Sequence, residues 1–278
     1  MGTGLSQGSV VKWSGSKRSQ AGSILNYFPD RIETYYEPFL GGASVFHALY
    51  RSGIQVKRYV LSDINSDLIG LYKVIRDNPE ELYEHYEELW RELNKDDDVD
   101  RKKEYFTGIR DRFNREKDPK DFLFIMRTCI NGMPRYNDKG EFNSPFHITR
   151  SGIYPQSIKQ TIYYWSSMLE DVELESCSYE KIQPEENDYM YLDPPYANTK
   201  GMYYGAIDCS DLWKYLRGLK CKWSLSFDGK TEDKDSTYDV PSDIYDKHLY
   251  IKSGNSSFRR VLNRNKDVTV YESLYIKD

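Results

Sequence analysis

The feature that most constrains this chain is a glycine turn between an extended run and a helical pattern. Thr34-Tyr35-Tyr36 reads as a strand and Glu37-Pro38-Phe39-Leu40-Gly41-Gly42 as its turn, and a helix pattern follows from Ala43 to about Arg51. A second strand is expected near Arg58–Ser62, ending at Asp63, with Asn65 capping a helix that carries Leu68, Ile69 and Leu71. Strand, loop and helix in that rhythm predict a doubly wound α/β sheet. The rhythm breaks over residues 79–131, which read as mostly helical: Leu82, Tyr86, Leu89 and Leu93 recur at helical spacing, as do Phe113, Phe122, Ile125 and Met126. Residues 131–155 change to Gly, Pro, Asn and aromatics and predict loops with a hairpin. Strands then return at Tyr189–Leu192, Lys222–Phe227 and Val268–Tyr275. The chain therefore reads as a sheet domain made of residues 1–78 and 166–278, with 79–165 inserted between its halves.

In an open α/β sheet, ligands sit at the carboxyl ends of strands. Two such ends are chemically loaded. Gly41 and Gly42 let backbone approach a ligand closely, and Asp63, 21 positions after Gly42, is spaced to bind the two hydroxyls of a ribose. The turn lacks the full Gly-x-Gly-x-x-Gly cradle, and no Walker-type Gly-Lys-Ser/Thr occurs, so a ribose-bearing cofactor without phosphates fits better; S-adenosylmethionine is the candidate. Trp13, in Lys12-Trp13-Ser14-Gly15-Ser16-Lys17, either closes over that cofactor or packs against the sheet edge.

Asp193-Pro194-Pro195-Tyr196 follows the apolar strand Met190-Tyr191-Leu192. Proline donates no hydrogen bond and restricts the residue before it to extended backbone. The loop thus offers a carboxylate, a free carbonyl and an aromatic ring in fixed relation. That set suits methylation of an amine conjugated to a ring. The amine's lone pair is delocalised; hydrogen bonds to the Asp193 carboxylate and the Pro194 carbonyl favour a tetrahedral nitrogen, and Tyr196 stacks on the base. A base within a duplex reaches such a pocket only by flipping out, and catalysis is then mostly positioning and electrostatics.

Charge bears on the partner. The net charge is −5, which alone argues mildly against nucleic acid. Its distribution is uneven: residues 78–100 hold ten acids and two bases, whereas 105–160 hold ten bases and six acids, and Arg259, Arg260, Arg264 and Lys266 form a further basic stretch. A locally positive face binds phosphates even on an acidic chain; ordinary solvated helix faces account for the same charges. The four cysteines form no Cys-x-x-Cys pair and histidines are sparse, so neither a disulfide framework nor a metal site is expected. No signal pattern or apolar run of membrane length occurs, and a cytoplasmic protein is expected.

Taken together, these residues resemble the Dam-type DNA adenine-N6 methyltransferases, the class alpha enzymes with an Asp-Pro-Pro-Tyr motif. The matching pieces are 12–17, Glu37–Phe46, Asp63–Leu68, Asn131-Gly132-Met133-Pro134-Arg135-Tyr136-Asn137, Gly140–Phe146 and Asp193–Tyr196, in the family's order. The resemblance implies a Rossmann-like S-adenosylmethionine-dependent methyltransferase sheet with an inserted, mostly helical target-recognition domain containing a β-hairpin. It implies that Trp13, Lys17, Phe39, Gly41, Ser44, Asp63, Ile64 and Asp193 line the cofactor site, and that Asp193, Pro194 and Tyr196 are catalytic. It implies that Lys12, Asn131, Met133, Arg135, Asn137 and Pro145 face double-stranded DNA, with GATC as the target. Arginine reads a guanine edge bidentately; Arg135 taken alone reads rather as a surface arginine. The resemblance also implies a bacterial or phage-infected host cell. A cognate restriction endonuclease is a further partner in such systems, and the oligomeric state stays open between a monomer and a weak dimer. Met133 and Pro134 depart from the commonest residues of the family hairpin, and Ser224–Asp228 and residues 254–260 match only loosely. The alternatives are methylation of the exocyclic amine of cytosine, which resembles a Ser-Pro-Pro-Tyr loop; an RNA methyltransferase, which resembles Asn-Pro-Pro-Tyr; and a DNA-binding relative without turnover, which needs neither Asp63 nor the catalytic loop.

Overall fold

The computed structural model describes residues 8–195, 207–255 and 269–278. In chain order its elements are α1 (Ala21–Leu25), β1 (Arg31–Glu37), α2 (Ser44–Tyr50), β2 (Gln55–Asp63), α3 (Ser66–Asp77), α4 (Pro79–Leu93), α5 (Val99–Glu116) and α6 (Pro119–Thr128). Then come α7 (Pro155–Leu169), β3 (Val172–Ser176), β4 (Tyr189–Leu192), α8 (Cys209–Gly218), β5 (Lys222–Thr231), β6 (Lys247–Asn255) and β7 (Thr269–Lys277). The described residues divide into two compact units. One holds 8–16 and 65–176; the other holds 17–64, 177–195, 207–255 and 269–278.

The strands form one seven-stranded sheet in the order β3-β2-β1-β4-β5-β7-β6. β1 is parallel to β2 and β4, β4 is parallel to β5, and β7 runs antiparallel between β5 and β6. This is the α/β sheet expected from the strand–turn–helix rhythm. Its chain order departs from β1 on one side through β2 and returns on the other at β4. Ligand crevices form at such a reversal, outside the carboxyl ends of the strands. Those ends carry the Gly41 turn after β1, Asp63 at the end of β2, and Asp193 after β4.

The central strand β4 is buried at all four positions, as a parallel strand covered on both faces must be. Its two tyrosines bury hydroxyls, and each finds a partner on β5: Tyr189 pairs with Ser224, and Tyr191 Oη lies 2.7 Å from Ser226 Oγ. Pairing is what allows polar atoms there. On one face Met190, Leu192, Leu212, Trp213, Leu216, Trp223, Leu225 and Phe227 make a continuous core.

The helical unit is built from amphipathic helices, of which α3, α5 and α6 carry side-chain caps. Asn65 Oδ1 accepts from Leu68 N at 3.1 Å, so the expected cap of α3 is in place. Asp98 and Asp118 cap α5 and α6, and Pro119 occupies the first turn of α6. Buried Asp121 of α6 accepts from Arg112 of α5 and lies 2.7 Å from His85 of α4. The 131–155 stretch is a loop held by two isolated bridges, Cys129 to Phe146 and Tyr136 to Phe142, and Pro155 opens α7. Among the described residues, no helix is long and apolar enough to cross a membrane.

Candidate active site

In the sheet unit, two pairs of the expected cofactor residues meet. After β1 the chain turns at Gly41 (φ 47°) and at Ala43 (φ 52°), the latter an uncommon left-handed position for a residue with a Cβ. That turn points Gly41 N at Asp63 Oδ2, 3.0 Å away. Leu40 N also donates to Ser62 O at 3.0 Å, so the β1–β2 ladder continues to the turn and fixes Asp63 beside it. The second pair is longer in range: Lys17 Nζ lies 2.7 Å from Asp193 Oδ1. Pro194, next in the chain, is buried. Phe39 packs against Tyr179 with ring centroids 5.3 Å apart. Ser44 begins α2 and is half-buried, and Ile64 is 58% exposed beside Asp63. Tyr196 lies outside the described residues. Trp13, half-buried, belongs to the helical unit.

The electrostatics around Asp193 are set by Lys17 and by two further acids, Glu272 and Glu37. Burial raises the Asp193 carboxyl to about 6; Lys17 opposes that rise and Glu272 adds to it. Glu37, at the end of β1, is raised further, to about 8, by burial and by nearby Asp193, although Tyr35 Oη donates to its Oε2 at 2.7 Å. Lys17 is only 4% exposed. Burial by itself would lower its pKa, but Asp193 and Glu272 hold it above the ordinary lysine value. Glu37 and Glu272 are the acids that sequence motifs leave unassigned. A glutamate closing the aromatic strand Thr34–Tyr36 was the available signal for the first. Glu272 has no local signal.

The expected DNA-facing residues all lie in the helical unit. Arg135 and Pro145 are exposed, and Met133, Asn137 and Lys12 are half-buried. Asn131 falls in a short 3-10 turn, Ile130–Gly132. The loop that carries them is braced from within. Ser144, fully buried, accepts from Arg135 N at 3.0 Å and donates to Met133 O at 2.6 Å. The Asn114 side chain of α5 pairs with both backbone groups of Phe142, at 2.8 and 2.9 Å. Tyr136 Oη donates to Asp67 Oδ2 at 3.2 Å and accepts from Asn65 Nδ2 at 3.3 Å. Asn137 caps its own turn by accepting from Lys139 N and Glu141 N, both at 3.0 Å. The Lys12 stem crosses Gly132. A Cβ at Gly132, which has φ +60°, would come within 2.3 Å of Lys12 Cδ, so glycine is required there on both counts. Burial, Arg150 and Arg127 lower the Lys12 pKa, which marks a locally positive patch.

This arrangement has relatives. The family model of the D12 class N6 adenine-specific DNA methyltransferases matches residues 13–216. A type II methyltransferase, M.MjaIII, of Methanocaldococcus jannaschii is 31% identical over 201 residues, covering 67% of this chain and 68% of that protein. The DNA adenine methylases of Vibrio cholerae and Escherichia coli K12 are each 32% identical, over 199 and 194 residues, covering 69% and 67% of this chain and 66% and 64% of their own lengths. The chain thus spans about two thirds of the length of the curated relatives it matches. The matched span begins at Trp13, contains the Gly41 turn, Asp63, the braced Arg135 loop and Asp193, and ends within α8. On the strength of that match, the chain belongs to the D12 class N6 adenine-specific DNA methyltransferase family.

Proposed function

We propose that this protein transfers a methyl group from S-adenosylmethionine to the exocyclic amine of an adenine flipped out of a short duplex motif, GATC being the motif we assign. The observation that carries the reading is the placement of the Gly41–Asp63 and Lys17–Asp193 pairs at the carboxyl ends of adjacent parallel strands. Family membership points the same way.

The residues fit the cofactor. Asp63, held by the Gly41 N–H at the end of β2, is suited to a ribose diol, and no phosphate cradle competes with it. Asp193 and Glu272, both within reach of the single Lys17 ammonium, leave a net acidic setting that favours a cationic sulfonium. When bound, the cofactor supplies the electrophilic methyl. The protein's own work is positioning. The Asp193 carboxylate and the Pro194 carbonyl accept the two amine hydrogens and turn the nitrogen lone pair toward the methyl, and Tyr196 stacks on the base. We assign target recognition to 79–165 and methyl transfer to 1–78 with 166–278. In the braced loop, Arg135 reads a guanine edge, Met133 and Pro145 offer apolar contact, and Asn131, Asn137 and Lys12 add polar contacts.

The test is incubation with unmethylated genomic DNA and S-adenosylmethionine, followed by mapping of modified bases by long-read sequencing. Methyladenine confined to GATC is expected; cofactor binding without any modified base would overturn the reading. Asp193→Ala should abolish transfer while DNA binding survives, and comparable turnover in that variant would remove Asp193 from its role. Asp193 must be ionised to accept the amine hydrogens. Turnover should therefore fall as pH drops through about 6.

A further inference from the structure

β7 contributes an acid to the site that the reading above does not use. Glu272 is 16% exposed, and its Oε2 lies 3.3 Å from Lys17 Nζ, the same ammonium that contacts Asp193 Oδ1 at 2.7 Å. Its other oxygen, Oε1, accepts from Ser253 Oγ of β6 at 3.0 Å. The backbone aims this side chain. The β5–β7 register shifts between Phe227 and Lys230, and a Cβ on Gly229 within that irregularity would fall 2.7 Å from Glu272 Cα and 2.1 Å from Tyr271 O. Bulges re-aim side chains, and here a glycine lets β5 close against the backbone of Glu272. The residue also lies beyond the span 13–216 that the family model matches.

We propose that Glu272 is a positioning residue for methyl transfer: it shares the Lys17 ammonium with Asp193, and so fixes the direction of the Asp193 carboxylate while keeping it from being fully neutralised. The inference rests on the function proposed above.

The physical need is specific. A carboxylate locked one-to-one with an ammonium has much of its charge and some of its lone-pair capacity spent, and is a weak acceptor for an incoming amine. A second carboxylate on the same ammonium divides that attraction and tethers the lysine from the opposite side. Among the described residues, four titratable groups act on Asp193: Lys17 from the segment before α1, Glu37 at the end of β1, Tyr191 on β4 and Glu272 on β7. Lys17 is the cation among them. Glu37 and Tyr191 are held neutral near pH 7, because burial raises both. Glu272 offsets Lys17, and loss of its charge strengthens the pull of the lysine on Asp193.

The experiment uses the full chain with aspartate side-chain carboxyls labelled with carbon-13. Asp193→Asn assigns the resonance, and the cofactor-free protein is titrated by NMR as wild type, Glu272→Gln, Glu272→Ala and Glu272→Asp. In Glu272→Gln the Asp193 midpoint should drop by about half a pH unit or more, and Glu272→Asp, which keeps the charge, should restore most of it. The acid limb of the kcat profile should move downward by the same amount in Glu272→Gln, with KM for DNA unchanged. A merely structural role lowers stability and leaves the midpoint where it was. The same Asp193 midpoint in wild type, Glu272→Gln and Glu272→Ala overturns the proposal. Absence of methyl transfer by the wild type would overturn the proposed function instead, and the titration would still decide whether Glu272 acts on Asp193.

Discussion

Glu37 shows how a single buried acid reports its surroundings. Its carboxyl is 3% exposed and raised to about 8. The folded protein therefore binds a proton that the unfolded chain releases above about pH 4.5. Stability from this group is fully present below that pH and is lost as pH rises through about 8. Glu37→Gln, isosteric and neutral throughout, should track the wild type at pH 5. By pH 8.5 it should be more stable than wild type by on the order of 4–5 kcal/mol; urea midpoints at the two pH values check this, and an equal difference at both would show that Glu37 is not held neutral. Residue-scale legibility follows the same divide between local and distant causes. Asp63 beside Gly41 could be read because the spacing of two strands and a turn is written locally. So could Asp193, since a short apolar strand followed by two prolines announces an acid fixed at a strand end. Lys17 was named as a site residue, yet its contact with Asp193 spans 176 positions, and nothing in the sequence says which acid it meets. Glu272 has neither motif nor neighbourhood; only the strand register places it.

At the scale of elements, the helical unit depends on one carboxylate where three helices meet. Asp121 on α6 is 1% exposed, and burial would raise its pKa, but hydrogen bonds from Arg112 on α5 and His85 on α4 overcome this and hold it below the ordinary aspartate value. Removing it strands a half-buried arginine and a histidine. Asp121→Ala should cost about 3 kcal/mol, read as a lower denaturant midpoint, and should weaken DNA binding only in proportion to unfolding. A loss of binding at full folding would show instead that the α5–α6 contact sets the recognition loop directly. The elements themselves were legible in proportion to their periodicity. α4, with Leu82, Tyr86, Leu89 and Leu93 on one face, and α3, with its Asn65 cap, could be read outright. β6 could not: it is an edge strand with Lys247, His248, Tyr250 and Lys252 along it, and such charge, which discourages edge-to-edge pairing, also hides a strand from hydropathy. The 131–155 stretch was legible as a loop but not as a braced one, since Asn114 and Asp67 reach it from helices distant in sequence.

For the whole molecule, the net charge of −5 and a DNA partner are reconciled by where the charges lie along the chain. An acidic protein gains little long-range attraction to a duplex, so on the function proposed above its affinity is assigned to a limited set of contacts in the helical unit, with Lys12 and Arg135 among the cationic members. Binding should then weaken with salt, but with a shallow slope, because each phosphate neutralised contributes about −0.9 to the dependence of log K on log salt concentration. Arg135 separates two roles that this slope alone cannot. Its backbone N–H is fixed by buried Ser144 while its side chain is exposed, a geometry suited to reading a base edge rather than a phosphate. Arg135→Ala should therefore leave the salt slope unchanged, cost roughly 1–3 kcal/mol on the cognate motif, and cost little on unrelated duplexes. Titrations of cognate and scrambled oligonucleotides across a salt series measure all three quantities. A slope reduced by about one, with equal losses on both duplexes, would make Arg135 a phosphate contact and move base recognition to Lys12 and the remaining loop residues.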